Sequence, residues 1–128
     1  MSAKKTPPGY FVWFEGMTPD AKGSKKFYTE LLGWKVEEMT MPNMPPYNRL
    51  AVGERGIGGI METDPKQGVP PHWLGAVHVE SVDATMATAK KHGAKEMMPP
   101  TDIPGIGRFA ILMDPQGATF GILKTAPR

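Results

Sequence analysis

The chain has 128 residues, of which 40% are hydrophobic and 22% are charged, a balance typical of one globular domain. Its net charge of +2 predicts no nucleic-acid partner, and the absence of any apolar run of about 18 residues predicts no membrane span and no membrane partner. The lack of cysteine excludes disulfides and thiolate metal sites, and it is typical of a cytoplasmic protein.

The first half of the chain predicts a strand, a helix and three more strands. Residues 10–17 are aromatic and β-branched, which favours a strand. We expect a helix that ends at Leu32, with Thr18 as its N-cap, Pro19 as its first residue and Gly33 just after it. The remaining predicted strands are 34–39, 47–52 and 57–61, with a loop at the MPNMPP segment between the first two.

The second half repeats this order. A strand over 73–79 precedes a helix over 82–92, with Ser81 as its N-cap and Gly93 at its end. The last predicted strands are 95–98, 108–113 and 118–123. A Pro-rich loop should follow the first of these, and an Asp-Pro-Gln-Gly turn should join the other two.

The order βαβββ therefore occurs twice, at a spacing of about 60 residues. This repeat predicts one α+β domain over 10–124, made of a module at 10–62 and a module at 72–124. Residues 63–71 are the predicted linker, and residues 1–9 are a predicted extended or disordered tail because prolines 7 and 8 oppose a helix there. Each module has one sheet face to bury, so we expect the two sheets to surround a cavity.

Three segments resemble the glyoxalase/bleomycin-resistance/dioxygenase (vicinal oxygen chelate) superfamily. The pattern D-x6-FY-x3-LGW at 20–34 resembles the first helix of that family. VESVDATMATAKKHGA at 79–94 resembles its second helix, and DPQGATFGIL at 114–123 resembles its last hairpin. The resemblance implies a cupped mixed sheet around a cavity, and it implies a homodimer.

Metal-dependent members of this family hold a divalent ion with four side chains. The resemblance carries these positions to Trp13, Gly59, Leu74 and Gly121, none of which has a side chain that can ligate a metal. We therefore expect no metal cofactor. A shifted strand register would instead bring Glu15 and Glu62 together with one histidine, His72 or His78, as an alternative metal set.

An apolar cavity remains when the metal ligands are absent, and we expect it to bind a small molecule. The predicted ligand-binding residues are Trp13, Glu15, Tyr47, Arg49, Gly59, Trp73, Leu74, Arg108 and Gly121. The tryptophans would stack on a planar ligand, the two glycines would widen the cavity, and the arginines would bind a ligand carboxylate or phosphate. Glu15 lies in an aromatic strand on the same face as Trp13, so it is the candidate catalytic base.

Three functions stay open from the sequence. The first is a metal-free protein that binds an apolar or aromatic drug or metabolite. The second is a glyoxalase-like lyase or isomerase, or a dioxygenase, with a displaced metal. The third is a non-catalytic interaction module whose cavity is filled by side chains.

Overall fold

The structure is a computed structural model that describes residues 7–42 and 44–126, so most of the predicted tail lies outside the described residues. Its fold is α+β, and the predicted double βαβββ order is confirmed. The elements are β1 (Phe11–Thr18), α1 (Ala21–Leu32), β2 (Lys35–Met41), β3 (Met44–Val52), β4 (Arg55–Glu62), β5 (His72–His78), α2 (Val82–Lys91), β6 (Lys95–Ile103), β7 (Gly107–Met113) and β8 (Thr119–Thr125). A short 3₁₀ turn at Pro65–Gln67 precedes β5.

The chain forms two compact units. Of the described residues, the N-terminal unit comprises those between Trp13 and Leu74, and the C-terminal unit comprises those from Gly75 on together with those before Trp13. In the N-terminal unit the strand order is β2-β3-β4-β1. Strands β1 and β4 are parallel, with Glu15 opposite Gly59, and the other neighbours are antiparallel, so the sheet is mixed.

The C-terminal unit has the order β5-β8-β7-β6 and the same mixed pairing. Strands β5 and β8 are parallel, with Ala76 opposite Gly121, and the other pairs are antiparallel. Its helix α2 buries Val82 and Met86 against Ala110, Leu112 and Ile122. In the N-terminal unit, Ala21 of α1 packs with Leu50 and Ile60, and partly buried aromatic and aliphatic residues pack against them. Each helix therefore covers one face of its own sheet.

Helix boundaries follow local capping chemistry, with one correction. Ser81 caps α2 as predicted, since its side chain accepts from Ala84 N at 3.1 Å. The N-cap of α1 is Asp20 and not Thr18, because the Asp20 carboxylate accepts from Gly23 N at 3.0 Å. The Thr18 hydroxyl instead accepts from the backbone N–H of Asp20, which precedes the first residue of the helix. Gly33 ends α1 in the left-handed conformation, as predicted.

The two Pro-rich loops predicted from the sequence are shorter than expected. Residues 44–46 open β3, and residues 99–103 continue β6. Both proline pairs lie where the strand register shifts, opposite 39–41 in one case and between Met98 and Thr101 in the other. Proline fits extended backbone, and an irregular ladder position needs no donor from it, so these prolines interrupt pairing without ending the strand.

In the described part of the chain, no helix is long and apolar enough to cross a membrane.

Candidate functional site

The two faces of the N-terminal sheet carry different chemistry. Side chains alternate along β1, so Trp13 and Glu15 lie on one face while Phe14 and Gly16 lie on the other. The first face holds a buried polar cluster, and the second face, which α1 covers, holds an aromatic cluster beside two pockets. The predicted ligand residues Trp13 and Glu15 therefore lie on the face of the sheet opposite the two pockets.

The polar cluster consists of Trp13, Glu15 and Tyr47. The indole Nε1 of Trp13 donates to Glu15 Oε1 at 2.8 Å and to the Tyr47 hydroxyl oxygen at 2.9 Å. The Tyr47 hydroxyl donates to the same carboxyl oxygen in a short hydrogen bond. Glu15 is fully buried and Tyr47 is 2% exposed. Two donors therefore converge on one oxygen of a carboxyl group that is removed from water.

Burial decides the protonation of this cluster. It raises the pKa of Glu15 to about 7, and the hydrogen bonds from Tyr47 and Trp13 oppose that rise. Burial and the nearby Glu15 carboxyl group also raise the pKa of Tyr47, so the phenol stays protonated. Glu15 Oε2 has no hydrogen-bond partner among the described residues. The carboxyl group is thus poised to hold or release a proton near neutral pH.

The space beside the two glycines that were expected to widen a cavity is occupied by neighbouring side chains. A Cβ atom on Gly59 would overlap the Tyr47 hydroxyl group, and one on Gly121 would meet the Phe109 ring. Tyr47 and Phe109 are both almost completely buried. Glycine at these positions therefore admits an aromatic ring of the protein itself.

The aromatic cluster consists of Tyr28, Trp34 and Trp73. The rings of Tyr28 and Trp34 are stacked, with centroids 5.5 Å apart. The Trp73 ring stands nearly perpendicular to both, and its Nε1 donates to the Tyr28 hydroxyl oxygen at 2.9 Å. A Cβ atom on Gly16 would come within 3.0 Å of the Trp73 ring, so Gly16 allows the indole to lie against β1.

Two pockets adjoin this cluster and share Trp73. The first, which we call the aromatic pocket, has a volume of about 250 Å³. It is lined by Phe14, Trp34, Leu50, Ile57, Gly58 and Trp73. The second, which we call the polar pocket, has a volume of about 160 Å³, and the residues that line it include Thr18, Ser24, Tyr28, His72 and Trp73. An apolar pocket therefore lies next to one whose lining includes hydrogen-bonding side chains.

The other predicted ligand residues lie apart from these pockets. Leu74 is buried, and the Arg49 guanidinium lies where a Cβ atom on Gly56 would be. Arg108 is in the C-terminal unit, where it donates to both carboxylate oxygens of Asp83 and to Asp102. These hydrogen bonds raise the pKa of Arg108 and lower that of Asp83. Arg108 thus forms a bidentate ion pair with Asp83 of its own chain.

The alternative metal residues have other partners. Glu62 Oε1 accepts from Ala21 N at the start of α1, and His72 Nδ1 lies 2.8 Å from the Pro70 carbonyl oxygen. His78, which is buried, has its Nδ1 3.4 Å from the Pro7 carbonyl oxygen. Within residues 7–42 and 44–126, no three His, Asp or Glu side chains are grouped so that they would hold a metal ion.

The family-derived metal positions do not fit a metal either. The Trp13 indole nitrogen is a donor with no lone pair to offer, and it is engaged with Glu15 and Tyr47. The Gly59 position is filled by Tyr47, and the Gly121 position is filled by Phe109.

Sequence reasoning missed Phe14, Tyr28, Trp34, Leu50 and Ile57 as pocket residues. The available signals were the alternation along β1, which separates Phe14 from Trp13, and the Tyr28–Trp34 pair at the end of α1. The aromatic pocket combines residues of β1, β3 and β4 with the two tryptophans Trp34 and Trp73. Only the strand register brings these residues together.

Comparison with known proteins gives one family. Residues 11–122 match the family model described as the Glyoxalase/Bleomycin resistance protein/Dioxygenase superfamily. The chain is 39% identical over 120 residues to "Putative glyoxylase CFP32" of Mycobacterium tuberculosis, covering 94% of this chain and 46% of that protein. It is 27% identical over 130 residues to the anthracycline biosynthesis protein DnrV of Streptomyces peucetius, covering 91% and 47%. The chain thus spans about half the length of these curated relatives.

Solved structures agree on the fold. A variant of Streptomyces coelicolor methylmalonyl-CoA epimerase superposes with a TM-score of 0.65 at 16% identity, covering 94% of this chain and 100% of that one. Methylmalonyl-CoA epimerase from Mycobacterium tuberculosis gives a TM-score of 0.65 at 13% identity, covering 98% and 94%. At such identities the likeness concerns the fold alone, and the function has to be argued from the site.

Proposed function

Because the chain belongs to the Glyoxalase/Bleomycin resistance protein/Dioxygenase superfamily, a fold that hosts several chemistries, we propose a function from its own pockets. The protein binds a small planar aromatic molecule in the aromatic pocket, and it does so without a metal ion. The observation that carries this proposal is the right-angled pair of Trp34 and Trp73, whose centroids lie 5.9 Å apart at the wall of an apolar pocket.

The pocket's lining favours an uncharged, flat ligand. Its side chains are all apolar or aromatic, and a charged group placed there would lose water without gaining a partner. Aromatic walls add an edge-to-face or stacking contribution of about 0.5–1.5 kcal/mol per ring pair beyond simple burial. The pocket is smaller than the range of about 300–1,000 Å³ typical of drug-sized ligands, so we expect one or two fused rings.

The relatives are consistent with this ligand class. One of them is named for anthracycline biosynthesis, and an anthracycline contains fused planar rings. An anthracycline is therefore a second probe for binding, and the rings at one end of it would occupy the aromatic pocket.

Metal-free binding is supported by the side chains at the four family-derived positions. Trp13, Gly59, Leu74 and Gly121 offer no ligating side chain, and Tyr47 and Phe109 fill the space beside the glycines. The experiment is elemental analysis of the purified protein after dialysis against metal-containing buffer. We expect no divalent metal at a stoichiometric level. One equivalent of Ni, Zn, Fe or Mn that resists dialysis would overturn this part of the proposal.

Binding is tested with naphthalene, an uncharged molecule of two fused rings. We expect saturable binding that raises the thermal midpoint, because a ligand that binds only the folded state stabilises it. Trp73→Ala should weaken binding by tenfold or more. Phe11→Ala is the matched control, since Phe11 is an exposed aromatic residue that lines neither pocket. Equal losses in both variants, or no binding to the unaltered protein, would contradict the proposal.

Acid–base catalysis by Glu15 is the second candidate function. It is favoured by one observation, a fully buried carboxyl group with a pKa of about 7 whose Oε2 has no hydrogen-bond partner in the described part of the chain. Such a group suits proton abstraction from a substrate whose acidity is near neutral. The test is deuterium incorporation into carbonyl metabolites incubated with the protein in D₂O. Incorporation that Glu15→Gln abolishes would favour this function over simple binding.

We also propose that two copies of the chain associate and that the protein is cytoplasmic. Exposed apolar side chains on α1, namely Phe27, Leu31 and Leu32, support the first proposal. The absence of cysteine supports the second. Light scattering of the purified protein tests the association, and we expect a mass of two chains; a monomer at micromolar concentration would contradict it.

A further inference from the structure

The polar pocket beside Trp73 specifies what the aromatic ligand carries. We propose that the ligand has a phenol-type hydroxyl group, which the polar pocket binds through Tyr28 and His72 while the rings occupy the aromatic pocket. This inference rests on the proposed function, because it concerns the same ligand and extends it by one polar group.

Tyr28 supplies the donor. Its hydroxyl oxygen already accepts the Trp73 indole hydrogen at 2.9 Å, so that lone pair is used. The hydroxyl hydrogen has no acceptor among the residues that the structure describes, and Tyr28 lines the polar pocket. Accepting a hydrogen bond polarises the O–H group and makes it a better donor. Tyr28 is thus ready to donate to an oxygen atom in the pocket.

His72 supplies the acceptor. Its Nδ1 lies 2.8 Å from the Pro70 carbonyl oxygen, and a carbonyl only accepts, so Nδ1 carries the hydrogen. In the neutral ring, the other nitrogen, Nε2, then has a free lone pair. His72 also lines the polar pocket. One group that both accepts from Tyr28 and donates to His72 is a hydroxyl group.

Trp73 links the two pockets. It borders both of them, and its indole nitrogen is fixed by Tyr28 while its ring lies against Gly16. A ligand that passes across this indole places its rings on the apolar side and a substituent on the polar side. Tyr28 is therefore a specificity-determining residue for the hydroxyl group, and Trp73 serves the rings.

The test compares naphthalene with 2-naphthol, which differ by one hydroxyl group, on the unaltered protein and on Tyr28→Phe. Affinities come from calorimetric titration. We expect 2-naphthol to bind the unaltered protein about fivefold tighter, as one net hydrogen bond allows. Tyr28→Phe should bring the ratio of the two affinities to about one, whatever the loss of its hydrogen bond to Trp73 does to both ligands. Tyr10→Phe is the matched control, because Tyr10 is exposed and lines neither pocket, and it should keep the preference.

The outcomes separate the inference from the proposed function. If naphthalene binds but 2-naphthol binds no tighter, the hydroxyl inference is overturned and the aromatic pocket stands. If Tyr28→Phe weakens both ligands equally, Tyr28 only supports Trp73 and the inference is again overturned. If neither molecule binds, the proposed function fails and the inference fails with it.

Discussion

The Tyr47 hydroxyl group lies where a side chain on Gly59 would begin, and from there it donates to Glu15. Glycine at position 59 is thus a condition for the buried polar cluster. At position 59, which the family resemblance assigns to a metal ligand, the space for a side chain is occupied by the Tyr47 hydroxyl group.

Gly59→Ala should break this cluster. The new methyl group would overlap the Tyr47 hydroxyl group, which would have to leave Glu15. We expect a loss of about 2 kcal/mol or more in the free energy of unfolding, because crowding and a lost buried hydrogen bond add. Chemical denaturation measures it. In a Tyr47→Ala background the same substitution should cost much less; an equal loss in both backgrounds would show that Tyr47 is not the cause.

Stability should fall as pH rises from about 4.5 to about 7 because of Glu15. Its pKa in the folded chain, about 7, lies above the ordinary value of 4.5, so folding favours the protonated carboxyl group. This contribution is complete below pH 4.5 and is lost as pH rises through about 7. We expect a decrease on the order of 3 kcal/mol in the free energy of unfolding across that window.

Glu15→Gln is the control for this pH dependence. The amide does not ionise, so in this single-substitution variant the free energy of unfolding should no longer fall between pH 4.5 and about 7. Denaturation curves at several pH values measure both proteins. A slope that persists unchanged in Glu15→Gln would assign it to other groups.

Tyr47→Phe should raise the pKa of Glu15 further. The Tyr47 hydrogen bond lowers that pKa, and the phenylalanine ring keeps the carboxyl group buried. The Trp13 indole N–H, which donates to Glu15, reports the titration by NMR. We expect the midpoint to move above pH 7, and Tyr10→Phe to leave it unmoved. A midpoint that falls in Tyr47→Phe would contradict this assignment.

Gly16→Ala should weaken ligand binding without removing any ligand contact. The added methyl group would come within 3.0 Å of the Trp73 ring and push the indole away from β1. We expect naphthalene affinity to fall about fivefold and stability to fall by about 1 kcal/mol. In a Trp73→Ala background, Gly16→Ala should leave the remaining affinity unchanged. If it weakens binding there too, the effect does not pass through Trp73.

The sequence predicted the fold because its signals are local and repeated. The caps at Gly33 and Ser81 follow from backbone chemistry that neighbouring residues decide. The proline pairs at 45–46 and 99–100 predicted loops, but they lie in strands. A shift in the strand register accommodates them, and such a shift has no local signature in the sequence. The alternation of β1 correctly placed Trp13 and Glu15 on one face, where they share a hydrogen bond.

The candidate site was only half predictable. The sequence identified Glu15, Tyr47 and Trp73, but it treated them as one cavity. Strand pairing sets Tyr47 against Glu15 on one face of the sheet, while Trp73 joins Tyr28 and Trp34 on the other. Which residues meet across strands depends on register, and register depends on the whole sheet.

The indole N–H signals of the three tryptophans test the central claim most directly. Titration with naphthalene, followed by ¹H–¹⁵N NMR, should shift the signals of Trp34 and Trp73 to saturation, because both line the aromatic pocket. The signal of Trp13, which lies on the opposite face with Glu15, should stay in place. A saturable shift confined to Trp13, or no saturable shift at all, would contradict the account.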